Sequence, residues 1–130
     1  MKKLSAKAIN TRSTWMHLCA VAALALLVFG ALSGAAAQPR TVLGWELEHF
    51  LGYFTATLIV CAAWPRPLAV AVGLVLTSGV LEVLQAFTPD RHPNLMAALY
   101  GSAGVLVAAT LAEIFIRARN KRDLEPRNTR

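Results

Sequence analysis

The chain is poor in acid and in cysteine, with 7 Asp and Glu and 2 Cys among its 130 residues. Cys19 and Cys61 stand alone, without a Cys-x-x-Cys or a Cys/His cluster, which excludes a disulfide scaffold and a cysteine-based metal centre. They read as two packing thiols. Charged residues of both signs make up only 15% of the sequence, against about 25% in an ordinary soluble domain. There is also no Gly-x-Ser-x-Gly, Ser102 is isolated, and no His/Glu spacing matches a zinc-binding helix. No catalytic nucleophile, metal motif or cofactor motif is therefore legible, and the sequence leaves open whether the chain is an enzyme.

What fills the space is hydrocarbon. Hydrophobic residues are 56% of the chain and mean hydropathy is +0.51, the composition of a membrane protein. Four apolar segments, at 15–34, 48–64, 67–87 and 94–116, each approach the ~20 residues with which a helix crosses a ~30 Å hydrocarbon core. The second is the shortest. Trp15, Trp45 and Trp64 lie at or just outside segment boundaries, where indole rings prefer the interface. The expectation is an all-α, polytopic protein: a bundle of four transmembrane helices over 15–116, with a basic N-terminal stretch at 1–14 and a basic tail at 117–130. A competing reading takes residues 1–37 as a cleavable signal peptide ending at Ala35, Ala36 and Ala37, which leaves three helices. The run from Trp15 to Gly34 is longer than the roughly 7–15 apolar residues of a signal, which favours retention.

The net charge of +6 arises at the ends. Eleven of the 13 Lys and Arg fall before the first segment, in the turn at Arg66, or after the last, leaving only Arg40 and Arg91 for the other side. The positive-inside rule then puts both termini in the cytoplasm. Basic residues that flank apolar runs are topology signals, so nucleic acid is excluded as a partner and the lipid bilayer is expected. The stretch from Arg117 to Arg130 reads as a disordered, lipid-contacting tail.

Two small-residue patterns suggest helix packing. Gly30 and Gly34 form a GxxxG spacing, and Ala97, Gly101, Gly104 and Ala108 share one face of the fourth helix.

The chemistry gathers at one end. His49 and Tyr53 are one helical turn apart, Glu82 and Gln85 are three apart, and Asp90, Arg91 and His92 follow in the next loop. An acid within an apolar segment is expensive, costing roughly 2.5–3.5 kcal/mol at mid-bilayer on insertion scales, and so marks a functional candidate. If the two faces meet, His49, Tyr53, Glu82, Gln85 and Arg91 form one polar site near the outer leaflet, with Asp90 and His92 beside it. Arg91 offers a planar fork suited to phosphate or carboxylate. The plainer readings are interfacial side chains for His49 and Tyr53, an interhelical clasp for Glu82 and Gln85, and a surface ion pair for Asp90 and Arg91. No metal is expected; His49, Glu82, Asp90 and His92 are the groups that would hold a divalent ion.

The strings EHFLGYF at 48–54 and LEVLQAFTPDRHP at 81–93 resemble the VanZ-like family of small bacterial membrane proteins, over residues 42–116. The positions that carry the likeness are His49, Tyr53, Glu82, Gln85 and Arg91, with Pro89 shortly before the arginine. The chain departs from the family pattern at Ala97 and Gly101, where an aspartate and often an asparagine are usual, and at Glu46, where a lysine is common. The resemblance implies the bacterial inner membrane, the cell envelope and, through the family's name, an association with resistance to the glycopeptide teicoplanin. It implies a class and no particular reaction. Three functions follow as expectations: binding of an anionic envelope lipid or lipid-linked cell-wall precursor at the outer face; acid/base catalysis by Glu82 or His49 on a lipophilic substrate; or a structural subunit in a homo- or hetero-oligomer.

Overall fold

The computed structural model describes residues 2–34, 42–88 and 92–124. Four helices succeed one another, α1 (Lys2–Leu32), α2 (Trp45–Ala63), α3 (Pro67–Gln85) and α4 (Leu95–Leu124), and no strand occurs among the described residues.

Local sequence sets the boundaries. Gly44, at φ 80°, occupies the left-handed region that favours glycine and turns the chain into α2. A proline drives the residue before it out of the helical region. Trp64 and Arg66, which precede Pro65 and Pro67, are accordingly non-helical, with ψ of 97° and 70°. Pro67 then takes the first turn of α3, where its missing N–H leaves no bond unmade. At the start of α4, Asn94 Oδ1 accepts the backbone N–H of Met96 at 3.0 Å and caps the helix.

The chain therefore runs back and forth. The beginning of α1 and the end of α4 lie at one end of the bundle, the terminal end, and Gly44, Gln85 and Asn94 at the other, the loop end.

The basic N-terminal stretch is helical from Lys2, and the stretch expected to be disordered from Arg117 is helical as far as Leu124. No Gly or Pro precedes Gly30 in α1, and Ala, Lys, Arg and Leu are strong helix formers. In α4 the Glu113–Arg117 pair, 2.6 Å apart at a spacing of four, bridges the expected boundary.

Three stretches are long and apolar enough to cross a membrane: Ser13–Leu32, Pro67–Gln85 and Leu95–Asp123. α2 has the same 19 residues as α3, about 28 Å of helix. Its first turns carry Glu46, Glu48 and His49, which hold it below the apolarity of the other three.

The distribution of side chains is that of helices bathed in hydrocarbon. Leu26, Phe29, Leu68, Leu76 and Phe115 are all more than six-tenths exposed, whereas Thr57, Ser78, Glu82 and Gln85 are buried. A large apolar exterior around a small polar interior marks a lipid-facing surface. The protein is a helical membrane protein.

α4 packs most extensively on α2 and next on α3, while α1 lies along α2 and touches α3 more lightly. The small-residue face of α4 behaves as expected, with Ala97, Gly101, Gly104 and Ala108 all buried. A Cβ at Gly104 would sit 2.3 Å from the Phe50 carbonyl oxygen and 3.1 Å from the Phe54 nitrogen, so here the two backbones touch. The GxxxG spacing at the end of α1 does not act this way: among the described residues neither Gly30 nor Gly34 has any neighbour within 4 Å of an added Cβ. α1 is held instead by fully buried Ala20, by Leu27 against Gly52, and by the His17 ring standing edge-on to Trp64 at 4.7 Å.

Gly104→Val is therefore expected to lower the free energy of reversible detergent unfolding by about 1–3 kcal/mol or more, as overpacking does. Gly30→Val should stay within about 0.5 kcal/mol of the parent; equal effects of the two would contradict this packing.

Candidate functional site

α3 turns one face inward, through Ala71, Leu74, Ser78, Leu81, Glu82 and Gln85, at steps of three and four. Toward the terminal end that face is hydrocarbon. Toward the loop end it is polar: Ser78 is 1% exposed, Glu82 8% and Gln85 4%.

Tyr53, about two turns into α2, meets this polar strip. Its ring covers Gly101, where an added Cβ would lie 2.8 Å from the ring and 2.9 Å from Ser78 Oγ. Only glycine leaves the ring room there. Ser78 lies beside Tyr53 and donates to the Ala98 carbonyl across the α3–α4 interface at 3.4 Å. One turn deeper, fully buried Thr57 returns its hydroxyl to the Tyr53 carbonyl at 2.7 Å and adds no demand for a partner.

Glu82 has a defined anchor. Its Oε2 accepts the backbone N–H of Asn94 at 2.9 Å, at the start of α4. Unpaired amides and the positive end of the helix dipole converge there, so a carboxylate is stabilised by both. Glu82 is also near enough to Tyr53 to act on it electrostatically. Gln85 is buried, and among the described residues no hydrogen bond engages its carboxamide, which carries two donors and an acceptor.

The expected site residues divide as follows. Tyr53, Glu82 and Gln85 come together at the loop end, with Ser78 joining them. His49 belongs to the same end but to a different tier: Nδ1 donates to its own helix at the Trp45 carbonyl, 2.8 Å away, and its ring stands edge-on to Trp45, which in turn meets Tyr100 edge-on. His92 is exposed just ahead of α4. Asp90 and Arg91, and with them the expected anion fork, lie outside the described residues. Among the described residues no three of His, Cys, Asp and Glu converge as metal ligands.

Sequence reasoning missed Ser78 and Asn94. Ser78 precedes Glu82 by four and so shares its face, and Asn94 immediately before an apolar helix is a capping signal; extending the face one turn would have found the first, and the cap rule the second.

Glu82→Ala removes a charge-assisted, part-buried bond to the Asn94 N–H, so it should cost about 1–3 kcal/mol of stability and speed hydrogen exchange at Asn94. Glu82→Gln keeps an acceptor and should cost clearly less; equal exchange at Asn94 in parent and Glu82→Ala protein would contradict the anchor.

Comparisons with protein families, with curated proteins and with solved structures found no match for this chain.

Proposed function

We propose that this chain is a VanZ-like protein of the bacterial inner membrane whose loop end faces outward and binds a phosphate-bearing envelope lipid, either a phospholipid or a lipid-linked cell-wall precursor. The observation that carries the reading is the polar strip of Tyr53, Ser78, Glu82 and Gln85 at one end of an otherwise hydrocarbon bundle. A buried row of hydroxyl, carboxylate and carboxamide in lipid is expensive unless it is satisfied or used. Glu82 is satisfied through α4, while among the described residues the Gln85 carboxamide has no hydrogen-bond partner.

In this reading Arg91, in the loop between Gln85 and Asn94, pairs with the phosphate, and Gln85 and Tyr53 recognise neutral polar groups next to it. Tyr100 and Trp45 supply an aromatic rim at interfacial depth. Gly101 stands where the resembled family often has asparagine, and here that room is taken by Tyr53 and Ser78. The Ser78 hydroxyl then provides the polar group that the missing amide would have supplied. The charge bias of eleven basic residues toward the terminal end supports cytoplasmic termini.

A second reading rests on the 2.9 Å bond from Asn94 to Glu82: the cluster is a clasp that fixes α3 to α4, and the chain is a structural subunit. The two separate in one experiment on the full-length protein in detergent. Binding of a fluorescent short-chain polyprenyl diphosphate, and of a fluorescent phosphatidylglycerol, is titrated against parent, Arg91→Ala and Gln85→Ala. Loss of one charge-assisted contact should weaken the preferred probe about ten- to hundred-fold in Arg91→Ala, with thermal stability unchanged. Parent affinity for both probes in Arg91→Ala contradicts ligand binding at this site and leaves the clasp.

A further inference from the structure

Two grooves of about 530 Å³ each flank α4 at the terminal end. One runs between α3 and α4, and its lining includes Arg117 and Glu113, which neutralise each other at 2.6 Å. The other runs between α1, α2 and α4. Its walls are hydrocarbon, from Met16, Leu58, Ala62, Leu111 and Phe115, and its lining ends in Arg119. Among the described residues Arg119 has no ion pair, although Asp123 follows it by four.

The spacing explains the shape. Leu111, Phe115 and Arg119 follow one another at steps of four along a single face of α4, spanning about 12 Å of helix from hydrocarbon to cation. On the opposite wall Leu58 and Ala62 descend to Pro65, beside exposed Trp64 and Arg66. The groove therefore opens sideways into the acyl region and closes upward on a guanidinium at the level where indole and basic side chains mark the interface. Its neighbour has the same size and an equally greasy floor but no net charge. The pair differ in the one respect that selects a head group.

We propose that the groove between α1, α2 and α4 holds one anionic phospholipid of the leaflet at the terminal end, an acyl chain lying along Leu111 and Phe115 and the phosphate paired with Arg119. This site is separate from the loop-end polar cluster and does not rest on the function proposed for it. The lipid fills the seam between α1 and the rest of the bundle, where protein packing is thinnest: in α1, only Ala20 is buried among the described side chains. The lipid therefore works as a filler that fastens α1 to α2 and α4.

The full-length protein in detergent is titrated with phosphatidylglycerol and with phosphatidylcholine of the same chains, and bound lipid is counted by native mass spectrometry. In an Arg91→Ala background, which removes the phosphate contact proposed at the loop end, one phosphatidylglycerol should be retained per chain, preferred about five-fold, the gain one basic residue gives near an anionic surface. Arg119→Gln in that background should abolish the preference, while Arg117→Gln, also exposed but already paired, should keep it. Ala112→Phe, which fills the groove without touching a charge, should reduce retention of both lipids. A statistical ladder of bound lipids without head-group preference, an unchanged preference in Arg119→Gln, or an equal loss in Arg117→Gln overturns the proposal.

Discussion

The backbone contact between α2 and α4 at Gly104 governs the rest of this structure. With the Phe50 carbonyl 2.3 Å from where a Cβ would stand, no other residue lets these helices cross so closely. In hydrocarbon there is no water to drive helices together, so association depends on close packing and on polar contacts that reach across the gap. The crossing supplies the first and positions the second. It lays Tyr53 over Gly101, one turn of α4 nearer the loop end, and there the phenol meets Ser78 and comes within electrostatic range of Glu82.

From this follows a division of labour along the bundle axis. Toward the terminal end α2, α3 and α4 meet through Val60, Cys61, Ala71, Val105 and Ala109, an apolar core without a polar side chain. Toward the loop end the same three helices meet through hydroxyls, a carboxylate and a carboxamide. Glu82 belongs to both jobs, because it is part of the polar strip of α3 and its bond to Asn94 fixes the start of α4. The polar cluster is thus held at its base by α3 and α4 together, through the bonds of Glu82 to Asn94 and of Ser78 to Ala98. α1 takes little part in it; that helix is added to the outside of the three-helix unit through Ala20, Leu27 and the ring contact of His17 with Trp64.

Much of this was legible in the residues. Four apolar segments gave four helices, and the three- and four-residue steps of Ala97, Gly101, Gly104 and Ala108 identified the packing face of α4, because a stripe of small side chains leaves few other uses in a membrane helix. The same rule misled at Gly30 and Gly34, since a spacing records what a helix permits and not whether a partner lies beside it. Charge was read as disorder from Arg117 onward, whereas α4 continues through Lys and Arg to Leu124. At the site, the faces of Tyr53 and of Glu82 with Gln85 were found by periodicity alone. The tier occupied by His49 was not, because its bond to the Trp45 carbonyl depends on a rotamer that no spacing specifies.

The contact of Tyr53 with Gly101 is the point at which fold and site coincide, and nuclear Overhauser spectroscopy of the full-length protein in micelles reads it directly. Strong cross-peaks are expected from the Tyr53 ring protons to the Gly101 α-protons and to the Ser78 β-protons. Their absence, with cross-peaks from Tyr53 to lipid instead, would mean that α2 is turned away from α4 and that the polar strip of α3 has no partner.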